Sequence, residues 1–423
     1  MTALALTLLL ACAGDKAADD PTPDDSSVDT TVDTTDSGSP DDTGDVGGDD
    51  TGASSVLCAD GGPQALFVGT DGATVDWTDA LHAATAEAPI EIGLYEPGLL
   101  SVCPGEWYIY IRAESDVLIR GAGADATTLN ASGRSAVIRT KGDYQLDVQG
   151  LTLRGGLSQH GGGLYATNGA SVRIVDCVIE DNTVHVDGHG GGVCVSERSE
   201  ASLVGVTFRG NSAAEGGGLA VMSSAASLVD VVFEGNSAEG TYFPGYGGGL
   251  FTEGSSVAID GAVFRDNVAA SDGGGLAVWY GSSLTLHSAD FEGNAAGDGA
   301  GLHVLFGEIT ASDLRFEGNL AEGSGGAAEV RFGALTLSAS TASGNSAERG
   351  GGLALEESTL ALGGVGLTDN SAAEGGGLYI DAYSVASGVD CDLSSNTPDD
   401  LFHAAHGAQA PAAAFTCDPD GCR

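Results

Sequence analysis

An all-β chain wound as a parallel β-helix solenoid is what this sequence predicts, and three observations carry the prediction. An asparagine recurs at Asn182, Asn211, Asn236, Asn267, Asn294, Asn319, Asn345, Asn370 and Asn396, with gaps of 25 to 31 residues. Glycine clusters such as Gly216-Gly217-Gly218 recur with the same period. Apolar residues stand at fixed distances before each asparagine. A period near 25 residues with small insertions marks a solenoid, in which each repeat is one coil stacked on the last. The expectation is about twelve coils with a short N-terminal capping helix. At a strand spacing of about 4.8 Å that makes a rod on the order of 55–60 Å long.

The chain opens on an apolar run within residues 1–11 that ends Leu9-Leu10-Ala11-Cys12. It is too short to span a bilayer as a helix and reads as the apolar core of a secretion signal. Leu9-Leu10-Ala11-Cys12 resembles the lipobox of bacterial lipoproteins. That resemblance implies acylation of Cys12 and attachment to the membrane through the lipid alone. With Ala13 rather than Asp next in line, it also implies passage to the outer membrane and cell surface. Residues 12–55 are rich in Asp, Thr and Ser, with 13 Asp between Asp15 and Asp50. Such a segment cannot bury enough surface to offset its ordering entropy, so a disordered tether is expected.

Residues 56–110 read as an N-terminal cap and entry coil. Trp77, Ala80, Leu81 and Ala84 fall on one helical face, with Asp76 placed to cap it and Pro89 beyond its end. A helix here would cover strand edges that otherwise invite aggregation. Cys58 and Cys103 are a candidate disulfide. Pro104-Gly105-Glu106-Trp107-Tyr108 and Ile119-Arg120-Gly121-Ala122-Gly123 resemble the entry coils of bacterial right-handed parallel β-helix proteins, the pectin-lyase-like superfamily.

Residues 111–396 carry the repeat. Counting back from each asparagine, positions −10, −8, −5 and −3 are mostly apolar: Ala201, Leu203, Val206 and Phe208, or Val257, Ile259, Ala262 and Phe264. Period two is a strand with one buried face. The step of three reads as a corner at which the inward phase resets. A third strand follows the glycines, as in Leu219-Ala220-Val221. Asparagine suits a corner because its amide both donates and accepts and tolerates left-handed backbone angles. The coil before Asn345 is poorer, with Ser340 and Ala342 inward. One place after each −3 residue stand Glu180, Arg209, Glu234, Arg265, Glu292 and Glu317, whose alternating signs read as a register device. Gly-Gly-Gly-Leu paired with Phe-x-x-Asn over 160–396 resembles the repeat of chlamydial polymorphic membrane proteins, which implies surface exposure and adhesion. Residues 397–423 read as a C-terminal cap. Toward the C-terminal end Cys391, Cys417 and Cys422 are candidates to staple the last coil, and Cys177 and Cys194 to bridge neighbouring strands.

Acidic residues outnumber basic ones 60 to 15, for a formal charge of −45. Nucleic acid is excluded as a partner, because phosphate binding needs clustered Lys and Arg. The charge suits solubility and loose collection of divalent cations; no cofactor is required. His160 and His189 each precede a glycine triplet, and His185 and Asp187 lie in the inserted loop beside them. These four are a candidate transition-metal site, weighed against an exposed Gly-rich insertion. Tyr280, Phe306 and Phe332 recur at a spacing of 26; an inward core stack is favoured over an outward strip for glycan stacking. Gly188-His189-Gly190 stands alone, and Lys occurs only at Lys16 and Lys141, so no Arg-x-Lys of the polygalacturonase type is present. No catalytic residue is singled out. The expectation is a cell-surface rod with a binding, adhesive or envelope-structural role and a surface glycan or protein as partner. The alternative is a polysaccharide lyase or glycoside hydrolase.

Overall fold

The computed structural model describes Cys58 and residues 64–404. All of these belong to the compact unit Thr51–Arg423. The expected signal segment (1–11), Cys12, the expected tether (12–55), Cys417 and Cys422 lie outside the described residues.

Among the described residues the strands form three sheets, of 22, 13 and 7 strands, running along the rod. From the coil at Gly98 onward, strands pair in parallel with their counterparts one coil away. Only the entry differs: Ala65–Gly69 pairs antiparallel with Thr74–Asp76 and with Gly98–Val102. One coil shows the plan. Ala225–Glu234 lies in the broad 22-stranded sheet, Ser237–Ala238 in the narrow 7-stranded sheet and Leu250–Glu253 in the 13-stranded sheet. The all-β solenoid is therefore as the repeat predicts. The helix Thr78–Ala83 also forms, with Leu81 buried and Trp77 packed against the core. Asp76 accepts from the amide and hydroxyl of Thr78, which holds its carboxyl below the usual range.

The step of three residues is not a corner between two sheets. It is a kink within the broad sheet, so that Ala225–Glu234 stays one continuous strand. The kink residue takes a left-handed backbone, at φ 50° for Asp176, 63° for Gly205, 52° for Asp230 and 74° for Gly261. One left-handed residue resets the inward phase, which explains the spacing of two, three, two. Further along, the same place is held by Ser288, Asp313 and Ala339, also left-handed; Gly and Asp are the residues that adopt this backbone most readily.

The core is a column of inward side chains. Phe208, Phe233, Phe264, Phe291 and Phe316 stack with centroids 4.7 to 4.8 Å apart. The stack ends where Ala342 takes the next place. Ser340, buried in the same coil, is satisfied: its hydroxyl donates to Ser338 O and accepts from the Leu314 amide. The nine asparagines are buried and form one ladder. In each, Oδ1 accepts from the backbone amide of the asparagine one coil earlier, or from Gly156 at the first rung. Each Nδ2 donates to the next Oδ1 and to a carbonyl of the preceding coil. Outside, Arg209 pairs with Glu180, and Arg265 with Glu292 at 3.2 Å and Glu234 at 3.7 Å. Exposed pairs of this kind contribute little each and mainly favour one register.

A disulfide joins Cys58 to Cys103. The bridge expected between Cys177 and Cys194 does not form, because the two belong to different sheets: Cys177 precedes Val178–Glu180 of the broad sheet, and Cys194 lies in Val193–Ser196 of the 13-stranded sheet. Burial pushes the free Cys177 thiol up to about 11, so it stays a neutral core group. Cys391 is likewise buried with a free thiol.

Candidate functional site

Each coil with a strand in the narrow sheet, from Leu157–His160 to Leu320–Ala321, turns into the 13-stranded sheet through a glycine with left-handed backbone, such as Gly216 at φ 66°, Gly247 at 65° and Gly299 at 56°. A Cβ at Gly216 would lie 2.3 Å from Leu219 O, so only glycine fits. The turn brings together side chains five residues apart. The residue before it stacks coil upon coil as His189, Glu215, Tyr246, Asp272 and Asp298. The residue in the middle of the following strand stacks as Cys194, Ala220, Phe251, Ala277, His303 and Glu329. A third column, two residues further on, holds Met222, Glu253, Trp279, Leu305, Arg331 and Glu356. These columns build one face of the rod, where acids, imidazoles and aromatic rings meet.

At its N-terminal end the His160 ring lies parallel to that of His189 at 4.9 Å. Burial and then the neighbouring His189 push His160 down to about 4. His189 Nδ1 is 2.7 Å from Glu215 Oε2 but off the line of a hydrogen bond. Burial and Glu215 raise the Glu253 carboxyl, against the opposing effect of His189. In the middle, Tyr246 and Trp279 meet at 4.1 Å, and Trp279 meets Tyr280 edge-on at 5.4 Å. Burial, then Asp272 and Glu215, push the Tyr246 hydroxyl up to about 12.

Further along, His303 and Glu329 are 0% and 3% exposed. Their Nε2 and Oε2 atoms stand 3.2 Å apart without an aligned hydrogen bond. Burial raises the Glu329 carboxyl; the His303 contact and Arg331 oppose it, and Asp298 adds to it. Arg331 is held by Glu356 at 2.8 Å. Perturbed titratable groups gathered with rings on one face make it the candidate functional site.

The structure brings only part of the four-residue metal set together. His160 and His189 are neighbours, but parallel rings 4.9 Å apart do not converge on one ion that needs nitrogen at about 2.0–2.1 Å. Asp187 is otherwise employed: its Oδ1 accepts from the amides of Thr241, Tyr242 and Phe243, pinning the inserted loop. His185 is exposed. Among the described residues no group of three or more His, Cys, Asp or Glu is placed to hold a metal.

Tyr280, Phe306 and Phe332 point outward, contrary to the inward stack favoured from their spacing. Each leaves its strand with a left-handed backbone, at φ 38°, 52° and 51°, which ends the in-out alternation. Tyr280 and Phe306 are 49% and 47% exposed. Their rings stack on one another at 5.5 and 4.9 Å, so along the strip edges face solvent more than ring faces do. Elsewhere, shallow grooves of about 580 and 490 Å³ lie over the outer side of the broad sheet, floored by small residues such as Ser202, Ser227 and Ala258.

Sequence reasoning singled out His160 and His189 but missed Glu215, Tyr246, Glu253, Asp272, Trp279, Asp298, His303 and Glu329. A signal existed: the place before each glycine turn and the place five further on are two aligned columns, rich in ionisable and aromatic residues.

The model of the right-handed beta helix region matches residues 135–372. That is more than half of the chain, and the protein belongs to this family. Among solved structures, the crystal structure of the Agl-KA catalytic domain is similar over 81% of this chain at 11% identity, with a TM-score of 0.30. The alignment spans 64% of that chain, less than two thirds of its length, and carries no inference about activity. No curated protein matches the sequence.

Proposed function

We propose that this protein is a surface-displayed, non-catalytic rod that binds an extended carbohydrate along the face outside the 13-stranded sheet. One observation carries the reading: Tyr246, Trp279 and Tyr280 lie in contact, among Glu215, Glu253 and Asp272. Sugar rings present polarised C–H faces and hydroxyls, which suit aromatic π-clouds and carboxylate acceptors respectively. A face that repeats one coil at a time suits a polymer lying along it. Display at the surface is supported by Leu9-Leu10-Ala11-Cys12 and the acidic stretch that follows. Screening the full chain on a glycan array tests binding, with Tyr280→Ala expected to weaken every positive signal. An array on which nothing binds rejects the reading. Palmitate labelling that persists in a Cys12→Ala variant rejects the anchor.

A catalytic reading has one observation in its favour. Glu329, whose carboxyl burial raises, stands within electrostatic reach of the Asp298 carboxyl, and a pair of carboxyl groups is what glycoside hydrolysis uses. Release of reducing ends, abolished by Glu329→Gln, would favour that reading over simple binding.

A further inference from the structure

We infer that the ligand of this face is a cationic glycan, one built from free amino sugars, rather than a neutral or acidic one. The inference rests on the carbohydrate reading above and narrows its chemistry. Glu253 and Trp279 are register partners on adjacent strands, and Tyr246 and Asp272 are bridge partners one coil apart. Two carboxylates thus flank the ring cluster of Tyr246, Trp279 and Tyr280. An ammonium over the face of Trp or Tyr is attracted by the ring quadrupole, and more strongly where water is partly excluded. Tyr280 is 49% exposed, so the cluster is open on one side. Trp279 Nε1 is buried without a hydrogen-bond acceptor, a donor left over by the protein's own packing.

The charges around the cluster point the same way. Glu215 lies near Glu253, and the repulsion is one reason the Glu253 carboxyl is raised. An ammonium entering between the acids relieves that repulsion; a uronate adds to it. Arg331, a cation of the same face, is already engaged with Glu356 at 2.8 Å. A net charge of −45 repels polyanions at longer range and steers cations inward.

The test is titration calorimetry of the full chain with glucosamine hexamer, its fully N-acetylated counterpart, cellohexaose, an oligogalacturonate and hexalysine. The glucosamine hexamer is expected to bind at least about tenfold more tightly than the acetylated chain, with affinity falling as salt rises. Glu253→Gln and Asp272→Asn are each expected to weaken it by about tenfold, in line with loss of a charge-assisted contact, with unchanged circular dichroism and melting temperature. Equal binding of both hexamers, insensitive to salt, overturns the cationic inference while leaving carbohydrate binding standing. No binding of any glycan overturns both. Hexalysine bound as tightly as the glucosamine hexamer, and weakened by the same variants, overturns the sugar and makes the partner a basic peptide.

Discussion

Replacing Asn267 by Ala tests what holds one coil to the next. Asn267 is fully buried in the middle of the ladder. Its Oδ1 accepts from Asn236 N and from Asn236 Nδ2, each at 3.0 Å. Its Nδ2 donates to Phe233 O at 2.9 Å and Asn294 Oδ1 at 3.1 Å. Alanine removes all four bonds, but the losses are unequal. Asn294 Oδ1 still accepts from the Asn267 amide, and Asn236 Nδ2 still donates to Phe208 O. The stranded groups are the Asn236 backbone N–H and one N–H of its side chain. Each buried donor left without an acceptor costs about 1–3 kcal/mol, so the change should destabilise by about 2–6 kcal/mol. Solenoid stability is close to a sum of coil and neighbour terms, so the damage should be local. Urea unfolding measures the loss, and limited proteolysis should show new cleavage between residues 237 and 294. A loss below about 1 kcal/mol with an unchanged cleavage pattern would refute the view that side-chain amides, rather than strand pairing alone, clamp the coils.

Other perturbations have equally definite outcomes. The folded state holds the Glu329 proton more tightly than the unfolded chain does, so this group stabilises fully below the ordinary glutamate range. That contribution is lost as pH rises through its raised value. The wild type minus Glu329→Gln difference in urea midpoint should therefore fall with rising pH; a flat difference is the contrary result. His160 acts in the opposite sense: its pKa falls from 6.5 to about 4, so its contribution is present above 6.5 and lost on acidification toward 4. His160→Phe should remove that part of the acid slope, as seen in melting temperatures between pH 7 and 4. Gly249→Ala places a Cβ 2.6 Å from Gly275 O, a backbone atom that cannot swing away, whereas Gly235→Ala meets nothing within 4 Å and bears only the cost of φ +62°. The first should cost clearly more than the roughly 1–2 kcal/mol of the second; equal losses in urea titrations would count against close stacking at the glycine turn.

Much of the fold was legible because its strongest constraints are one-residue constraints. Asn182 through Asn396 must each be asparagine to pass the ladder on, and the inward positions must be apolar, so both recur in type and spacing. The kink was half legible: its spacing showed, but its left-handed residue is Asp, Gly, Ser or Ala, and no one letter fills the place. The candidate site was hardest to read. His189, Glu215, Tyr246, Asp272 and Asp298 occupy one structural place yet share no residue type, so a search for repetition passes over them. His160 and His189 stood out only because they happen to be identical. The orientation of Tyr280, Phe306 and Phe332 depends on a backbone angle at the strand end, which a count of spacing does not contain.

The asparagine ladder has a direction. Every side-chain carbonyl faces the N-terminal coils and every side-chain N–H aimed at the next rung faces the C-terminal ones. Aligned amides add their dipoles and polarise one another, so the column is a line of partial charge with its positive pole at the last coil. At that pole the amide and Nδ2 of Asn396 both donate to Asp400 Oδ1, at 3.0 Å each. A carboxylate accepts but cannot donate, so it ends the series and sets a full negative charge against the positive pole. That is the role an acidic residue plays at the start of an α-helix, performed here by the side chains of an all-β rod.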